Sequence, residues 1–356
     1  MILGLSCNET MSNAVGLGLF LCSVAGCVAR SKKSTWLGSG GGIKIEELWL
    51  YPIKGCKGFQ VEAAKMTARG LEHDRTFMIV KESNGRFVSQ RGLPKMALLE
   101  TRLSKDRKVL IVSAKRVRKD IEDLRIHLDG LNDQNDKEFN RQVTVWGQEC
   151  LAHDCGDEYA KWFNTVLGGD ETLRLVHMLG AKEYDRTASE GGIVSFADQY
   201  PVLLASQESI AGLNARLESP VQMERFRPNV VVRGVGTAFA EDTWEAVSFL
   251  SPESTDKLSM DVPFPPCGRC KVPTNDLDTG VLDSGNEPTK TMMTFRSGSH
   301  LGFSARKLRA EVYFGVHLAR PATEGGKSEL RRGDRVVVHG ESSLASREVL
   351  ASKRFS

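Results

Sequence analysis

From residue 43 onward, apolar and polar positions come in short bursts separated by turn formers. The run IKIEELWLYPI, residues 43–53, is rich in branched and aromatic side chains and predicts a strand. RTFMIVKESNGRFVSQR, residues 75–91, sets Asn84-Gly85 between two such runs, a pair suited to the left-handed turn of a β-hairpin. ALLETRLSKDRKVLIVSA, residues 97–114, predicts a second strand pair, and strands resume with NVVVRG at Asn229 and with RRGDRVVVHG near the end. The period changes in DEYAKWFNTVLG, residues 157–168, where Tyr159, Trp162, Phe163, Val166 and Leu167 recur at helical spacing before a glycine stop. A second short helix is predicted over residues 207–217: Ile210, Leu213 and Leu217 share a face, and Ser206 can cap it. With no repeat or heptad, the pattern predicts a β-rich α+β body of two intertwined barrel-like parts.

The amino terminus reads differently. Residues 10–29, TMSNAVGLGLFLCSVAGCVA, carry no charge and are followed at once by Arg30, Lys32 and Lys33. A membrane-spanning helix needs about 20 apolar residues. A secretory signal has its basic region before the apolar core, whereas here only Glu9 precedes it. The positive flank then predicts a single N-terminal membrane helix acting as a signal anchor, with the body on the cytosolic side. Its rivals are a cleaved targeting peptide, a lipoprotein signal at VAGC (residues 24–27), and a disordered or buried tail. GSGGG, residues 38–42, is a flexible linker by composition.

With 40% hydrophobic and 26% charged residues among 356, the chain can bury a large core without staples. Lysine and arginine total 48 against 45 acidic residues, a balance that argues against bulk nucleic-acid binding. The 8 cysteines are too sparse for a disulfide scaffold and read as mostly reduced thiols. Two of them stand in PFPPCGRCKVPTNDLDTG, residues 263–280. A redox CxxC needs a helix amino terminus to stabilise its thiolate, but Pro273, Asn275, Asp276, Asp278 and Gly280 are turn formers. Structural zinc needs four ligands, and the other cluster, Cys150, His153 and Cys155, has no standard spacing. There remain an unreactive buried pair, and a single thiolate on a rigid loop, its pKa lowered by Arg269 and Lys271 and available to a soft metal.

PCGRC, followed by Thr274, Asp276, Asp278, Thr279 and Gly280, resembles the cysteine motif of the MOSC domain proteins, and specifically the mitochondrial amidoxime reducing component family of molybdenum enzymes. LWLYPIKGCKG (48–58), LEHDRTFMIV (71–80), FRPNVVVRG (226–234), FGVHLA (314–319) and RRGDRVVVHG (331–340) are similar to further motifs of that family, in its order. The resemblance implies a MOSC N-terminal β-barrel-like domain over residues 43–170 and a MOSC β-barrel core with a few helices over 171–345. Residues 1–42 are then anchor and linker, and 346–356 a tail. It implies a molybdenum cofactor, a molybdopterin, with Cys270 as the metal ligand and catalytic residue. Lys54, Arg75, Arg227 and Arg269 correspond to cofactor-contacting positions, with Asn229 beside Arg227 and Gly55 and Gly268 on the same turns. Singly, each of these bases would be an ordinary solvated charge. Gly55 and Gly268 depart from the family, many members of which carry serine there, as does the sequence around Pro273, Asn275 and Leu277. Cys267 and Cys56 are read as structural thiols.

The activity the resemblance implies is reduction of N-hydroxylated compounds such as amidoximes and hydroxylamines. The chain has no flavin or haem motif, so the family's electron route is implied: cytochrome b5 and its NADH-dependent reductase. The implied location is the mitochondrial outer membrane, catalytic domain facing the cytosol. The alternatives are a non-catalytic cofactor carrier or binding module, and a sulfur-transfer MOSC protein, which would need a pyridoxal-phosphate domain for which the chain has no room.

Overall fold

The strand Lys44–Leu50 joins early and late parts of the chain, because the two strands that flank it in the order of the large sheet come more than a hundred residues later. It lies between Val230–Arg233 and Arg335–Glu341 in an eight-stranded sheet. The computed structural model describes residues 42–129, 137–180, 185–188, 192–252, 257–319 and 328–354. Residues 10–29 and most of the glycine linker lie outside these. Among the described residues no helix is long and apolar enough to cross a membrane.

The large sheet runs Lys257–Asp261, Trp244–Leu250, Arg335–Glu341, Lys44–Leu50, Val230–Arg233, Val202–Ser206 and Val316–Leu318, with Phe59–Val61 also paired to Lys44–Leu50. Its one parallel pair, Val202–Ser206 with Val230–Arg233, needs a crossover, and the helix Gln207–Asn214 lies in it. A four-stranded sheet orders Phe77–Lys81, Leu173–Met178, Gln148–Asp154 and Asn140–Val145, and a three-stranded one Glu100–Leu103, Val109–Ser113 and Leu124–His127. Leu48, Val230, Trp244 and Phe249 centre the core of the large sheet. Ile79, Leu110, Leu175 and the helix residues Phe163, Val166 and Leu167 form a second core. Each fully buried side chain of this kind contributes roughly 1.5–3 kcal/mol. The β-rich α+β character expected from the pattern is present.

Three local expectations change. The helix predicted to Leu217 stops at Asn214, whose side-chain amide instead pairs with both backbone groups of Val221. The hairpin about Asn84-Gly85 is only half formed. Phe87 bridges Val80 and the Val88 amide donates to the Ile79 carbonyl, and the chain then turns at Ser89, so residues 89–91 leave the ladder. At the carboxyl end, the residues assigned to a tail form the helix Leu344–Arg354. Buried Arg347 donates to the Asp242 and Val262 carbonyls, and the Glu348 carboxylate accepts from the Ser304 and Ala305 amides.

The start of Gln207–Asn214 is closed by a buried carboxylate. Ser206 accepts from the Ser209 amide as cap, while Glu241 accepts from the Ser206 amide and from the hydroxyls of Ser206 and Ser209. Burial first, and then the neighbouring Asp242, push Glu241 up to about 7. A carboxyl raised above its unfolded value adds stability that is complete below about pH 4.5 and is lost as pH rises through about 7. Glu241→Gln should therefore remove a loss on the order of 3 kcal/mol between pH 5 and 8, read from urea unfolding midpoints across that range; an unchanged pH slope would refute this.

Candidate functional site

The half-formed hairpin, the turn after Lys44–Leu50, the turn before Val230–Arg233 and the cysteine loop all converge on one cavity of about 560 Å³. Lys54, Gly55, Arg75, Arg227, Asn229, Gly268, Arg269 and Cys270, every site residue named from the sequence, line it. They come from four separated segments, and the sheet order is what brings those segments together.

Tyr51 organises the deep wall. Its buried ring carries the Arg75 guanidinium 4.6 Å and the Arg227 guanidinium 4.3 Å from its centre. Arg75 (φ 49°) and Arg227 (φ 57°) both hold left-handed backbone, a conformation that costs energy for arginine and aims each side chain off its turn. Arg75 donates to the Asp74 carboxylate at 2.6 Å, the Asn229 side-chain oxygen at 3.0 Å and the Arg227 carbonyl at 3.1 Å. Arg227 has no carboxylate partner and donates to the Cys56 carbonyl at 2.6 Å. Burial, and then the like charge of Arg75, bring Arg227 down to about 10. Asn229, 1% exposed, uses its amide on Arg75, Asp74 and the backbone of Trp49 and Leu203. It therefore holds the wall in place rather than reaching into the cavity.

Lys54 donates to the Phe196 carbonyl at 2.8 Å and pairs with Asp198. Burial pulls the Lys54 pKa down, and Asp198 opposes it. Gly55 sits at φ 88°, and a Cβ there would stand 2.7 Å from the Met96 terminal methyl. At Gly268 a Cβ would fall on the Glu311 carboxylate. The two departures from serine thus match the packing of this particular chain.

The cysteine loop is irregular, as its turn formers predict, but its charges are distributed otherwise than expected. Arg269 donates at 2.9 Å to Cys267 Sγ and at 2.9 Å to the Phe226 carbonyl, and Lys271 is exposed. The cation assigned from sequence to Cys270 therefore serves Cys267. Burial pushes the Cys267 thiol up, but Arg269 and His317 together outweigh it and bring the thiol down to about 7. Cys267 is thus the more acidic of the two buried thiols and Cys56 the less, pushed up to about 12 by burial. Cys270 Sγ, half-buried in the cavity wall, accepts from the Val272 amide at 3.5 Å. Cys150 and Cys155 pack into different hydrophobic clusters, so strand geometry parts them.

Sequence reasoning passed over Tyr51, Trp146, Asp198 and His317. Tyr51 stands inside the quoted YPIKG turn, and Trp146-Gly147 is a two-residue hairpin turn with a bulky residue at φ 53° where asparagine or glycine is usual. That misfit was a readable signal, and His317 stands inside the quoted FGVHLA motif; nothing local marked Asp198.

The cavity fits an anionic, sulfur-ligated group. Arg227 Nη2 and Arg269 Nε are buried without a hydrogen-bond partner among the described residues. Guanidinium N–H groups are suited to phosphate oxygens, and Cys270 adds a soft thiolate donor in the same wall.

Comparison with known proteins gives two family matches: the MOSC N-terminal beta barrel domain over residues 42–170 and the MOSC domain over residues 191–337. The chain is 35% identical over 262 residues to mitochondrial amidoxime reducing component 2 of Bos taurus, covering 71% of this chain and 72% of that one. The Homo sapiens protein of the same name is 33% identical, and Homo sapiens mitochondrial amidoxime-reducing component 1 is 31% identical, each over the same shares of the two chains.

The two thiols of CGRC should differ in chemistry. In protein freed of cofactor, alkylation of Cys267 followed by mass spectrometry should show a pH midpoint near 7, and Arg269→Ala should raise that midpoint by about one unit or more. A midpoint that ignores Arg269 would show that the guanidinium does not act on this sulfur.

Proposed function

The chain belongs to the mitochondrial amidoxime reducing component family, and from that membership and the chemistry of the cavity we propose that it is a molybdenum-cofactor reductase of N-hydroxylated compounds. The observation that carries the reading is the coincidence, in one cavity, of guanidinium groups with buried unpartnered N–H atoms and the Cys270 thiol. When bound, the cofactor supplies a two-electron centre able to take up oxygen from an N–O bond.

Cys270 would ligate the molybdenum. Arg227 and Arg269 would take the pterin phosphate and ring edges, with Lys54 and Arg75 adding fixed positive charge. Gly55 and Gly268 would offer backbone rather than side-chain groups to the cofactor, since a Cβ at either would meet Met96 or Glu311. Asn229 and Asp74 keep Arg75 extended against Tyr51, so that charge is in position before the cofactor arrives.

The electron donors in this proposal are cytochrome b5 and its NADH-dependent reductase. The location is mitochondrial, at the outer membrane through the apolar segment of residues 10–29, with the body facing the cytosol. Deleting residues 1–40 should release a soluble, cofactor-loaded protein, whereas free solubility of the uncleaved full-length chain in fractionated cells would sink the anchor.

Recombinant protein should contain molybdenum and pterin and should reduce benzamidoxime with an artificial donor. Cys270→Ser should abolish turnover, while Cys267→Ser should keep most of it; equal losses with cofactor retained in both variants would contradict the ligand assignment. A hydrogen bond to a charged group contributes about 1.5–3 kcal/mol, so Arg227→Ala should retain pterin roughly ten- to a hundred-fold less well. NADH alone should drive no reduction until cytochrome b5 and its reductase are added.

A further inference from the structure

One end of the large sheet carries a row of cations. Strand order and register set Lys257, Leu250, Arg335, Lys44 and Arg233 side by side: Leu250 stands opposite both Lys257 and Arg335, and Lys44 opposite both Arg335 and Arg233. Each is the first or last residue of its strand, so this is the terminal row of these five strands. Directly opposed residues share a face, and neighbouring strands lie about 4.8 Å apart, which puts the four basic residues along roughly 19 Å. All four are exposed.

Such a row costs the sheet energy. Like charges directly opposite one another are destabilising, and Lys44 faces a like charge on each side, Arg335 and Arg233. Lysines often blunt the edges of sheets, but Lys44–Leu50, Trp244–Leu250 and Arg335–Glu341 are interior strands, so edge protection does not account for the row. Little of the charge is neutralised. Arg233 pairs with Glu46 at 3.1 Å, whereas Lys44, Lys257 and Arg335 have no carboxylate within salt-bridge distance among the described residues. With a net charge of only +3 on the whole chain, the row is a local concentration and not a share of a general excess.

The row also stands where the body begins. Lys44 follows Ala29, the last residue of the uncharged segment, by about 15 residues, a covalent tether of at most roughly 50 Å, and Arg30, Lys32 and Lys33 stand at its other end. We propose that this row docks the body on an anionic lipid surface, its four basic side chains meeting the headgroups. This rests on the proposed anchor and goes beyond it: residues 10–29 would hold the chain to the membrane, and the row would decide which end of the large sheet faces it. None of the five residues lines the cavity, so docking is separable from cofactor binding.

Acetylation of lysines by an N-hydroxysuccinimide ester, read by mass spectrometry, measures docking on the full-length protein. The protein is bound to vesicles of phosphatidylcholine alone, or of phosphatidylcholine with about 30% phosphatidylserine. On the anionic vesicles Lys44 and Lys257 should react at least about five-fold more slowly than on the neutral ones, since a single basic residue near an anionic surface contributes about that factor in binding. Lys161, on the helix Asp157–Leu167 of the second core, should change by less than about two-fold. The protection should vanish at about 1 M salt, where the screening length is about 3 Å, an arm that needs no variant. Arg233→Gln combined with Arg335→Gln should bring Lys44 and Lys257 back to within about two-fold of their neutral-vesicle rates, with the urea unfolding midpoint retained. Equal rates on the two kinds of vesicle overturn the proposal, and so does protection that survives either the salt or the double substitution. Protection that requires an added acidic electron-transfer protein overturns it as well, because the row would then be a protein-docking surface. A full-length chain that does not float with phosphatidylcholine vesicles overturns the anchor instead, and protection on the anionic vesicles would still leave the row standing.

Discussion

Two guanidinium groups share one buried tyrosine ring, and the rest of the site is arranged around the cost of keeping them there. Arg75 and Arg227 lie 4.6 Å and 4.3 Å from the centre of Tyr51. Their mutual repulsion helps bring Arg227 down to about 10, after burial. Only Arg75 has a carboxylate, Asp74, which also accepts the Tyr51 amide and the Asn229 side chain. Arg227 is left with the Cys56 carbonyl and a nitrogen unpartnered among the described residues. A fold that tolerates such an arrangement is complementary to an anion, since an anion between the groups relieves both the repulsion and the unmet hydrogen-bonding. The left-handed backbone at both arginines is part of the same cost.

The cysteine loop divides labour in a related way. Arg269 spans from Phe226 to Cys267, and so ties the loop to the turn that carries Arg227. The positive charge is drawn toward Cys267, the sulfur that His317 also faces, while Cys270 keeps its half-buried place in the cavity wall with a single amide contact. A metal ligand gains from being free of competing partners, and the neighbouring thiol takes up the local charge. Glu241 and Asp242 show the same use of burial for structure alone: one closes a helix start, the other pairs with Arg296.

Much of the cavity could be read from short motifs because each motif is a local backbone event. YPIKG, HDR, FRPN and CGRC are turns whose glycines, prolines and basic residues are legible one at a time, and each supplies a side chain to the lining. Trp146 was legible as a misfit in a hairpin turn. Asp198 was not, since an isolated carboxylate in a loop has no local signature. The hairpin at Asn84-Gly85 pairs as far as Val88, but the helix end was misjudged, because propagation past Asn214 lost to that side chain's pairing with Val221.

The amino-acid sequence by itself determined the β-rich character, the helices that begin at Asp157 and Gln207, the turns and which side chains they offer, because propensity, capping and turn chemistry act over a few residues. Tertiary structure alone decided which turns meet, since the order of strands in the large sheet sets Lys44–Leu50 against Val230–Arg233 across a long stretch of chain. It alone decided that Arg269 serves Cys267 rather than Cys270, because a long side chain chooses its partner by three-dimensional reach and not by adjacency. It also decided the electrostatics: pKa values depend on burial and on charges a few ångströms away, and neither is defined until the sheets have closed around the cavity.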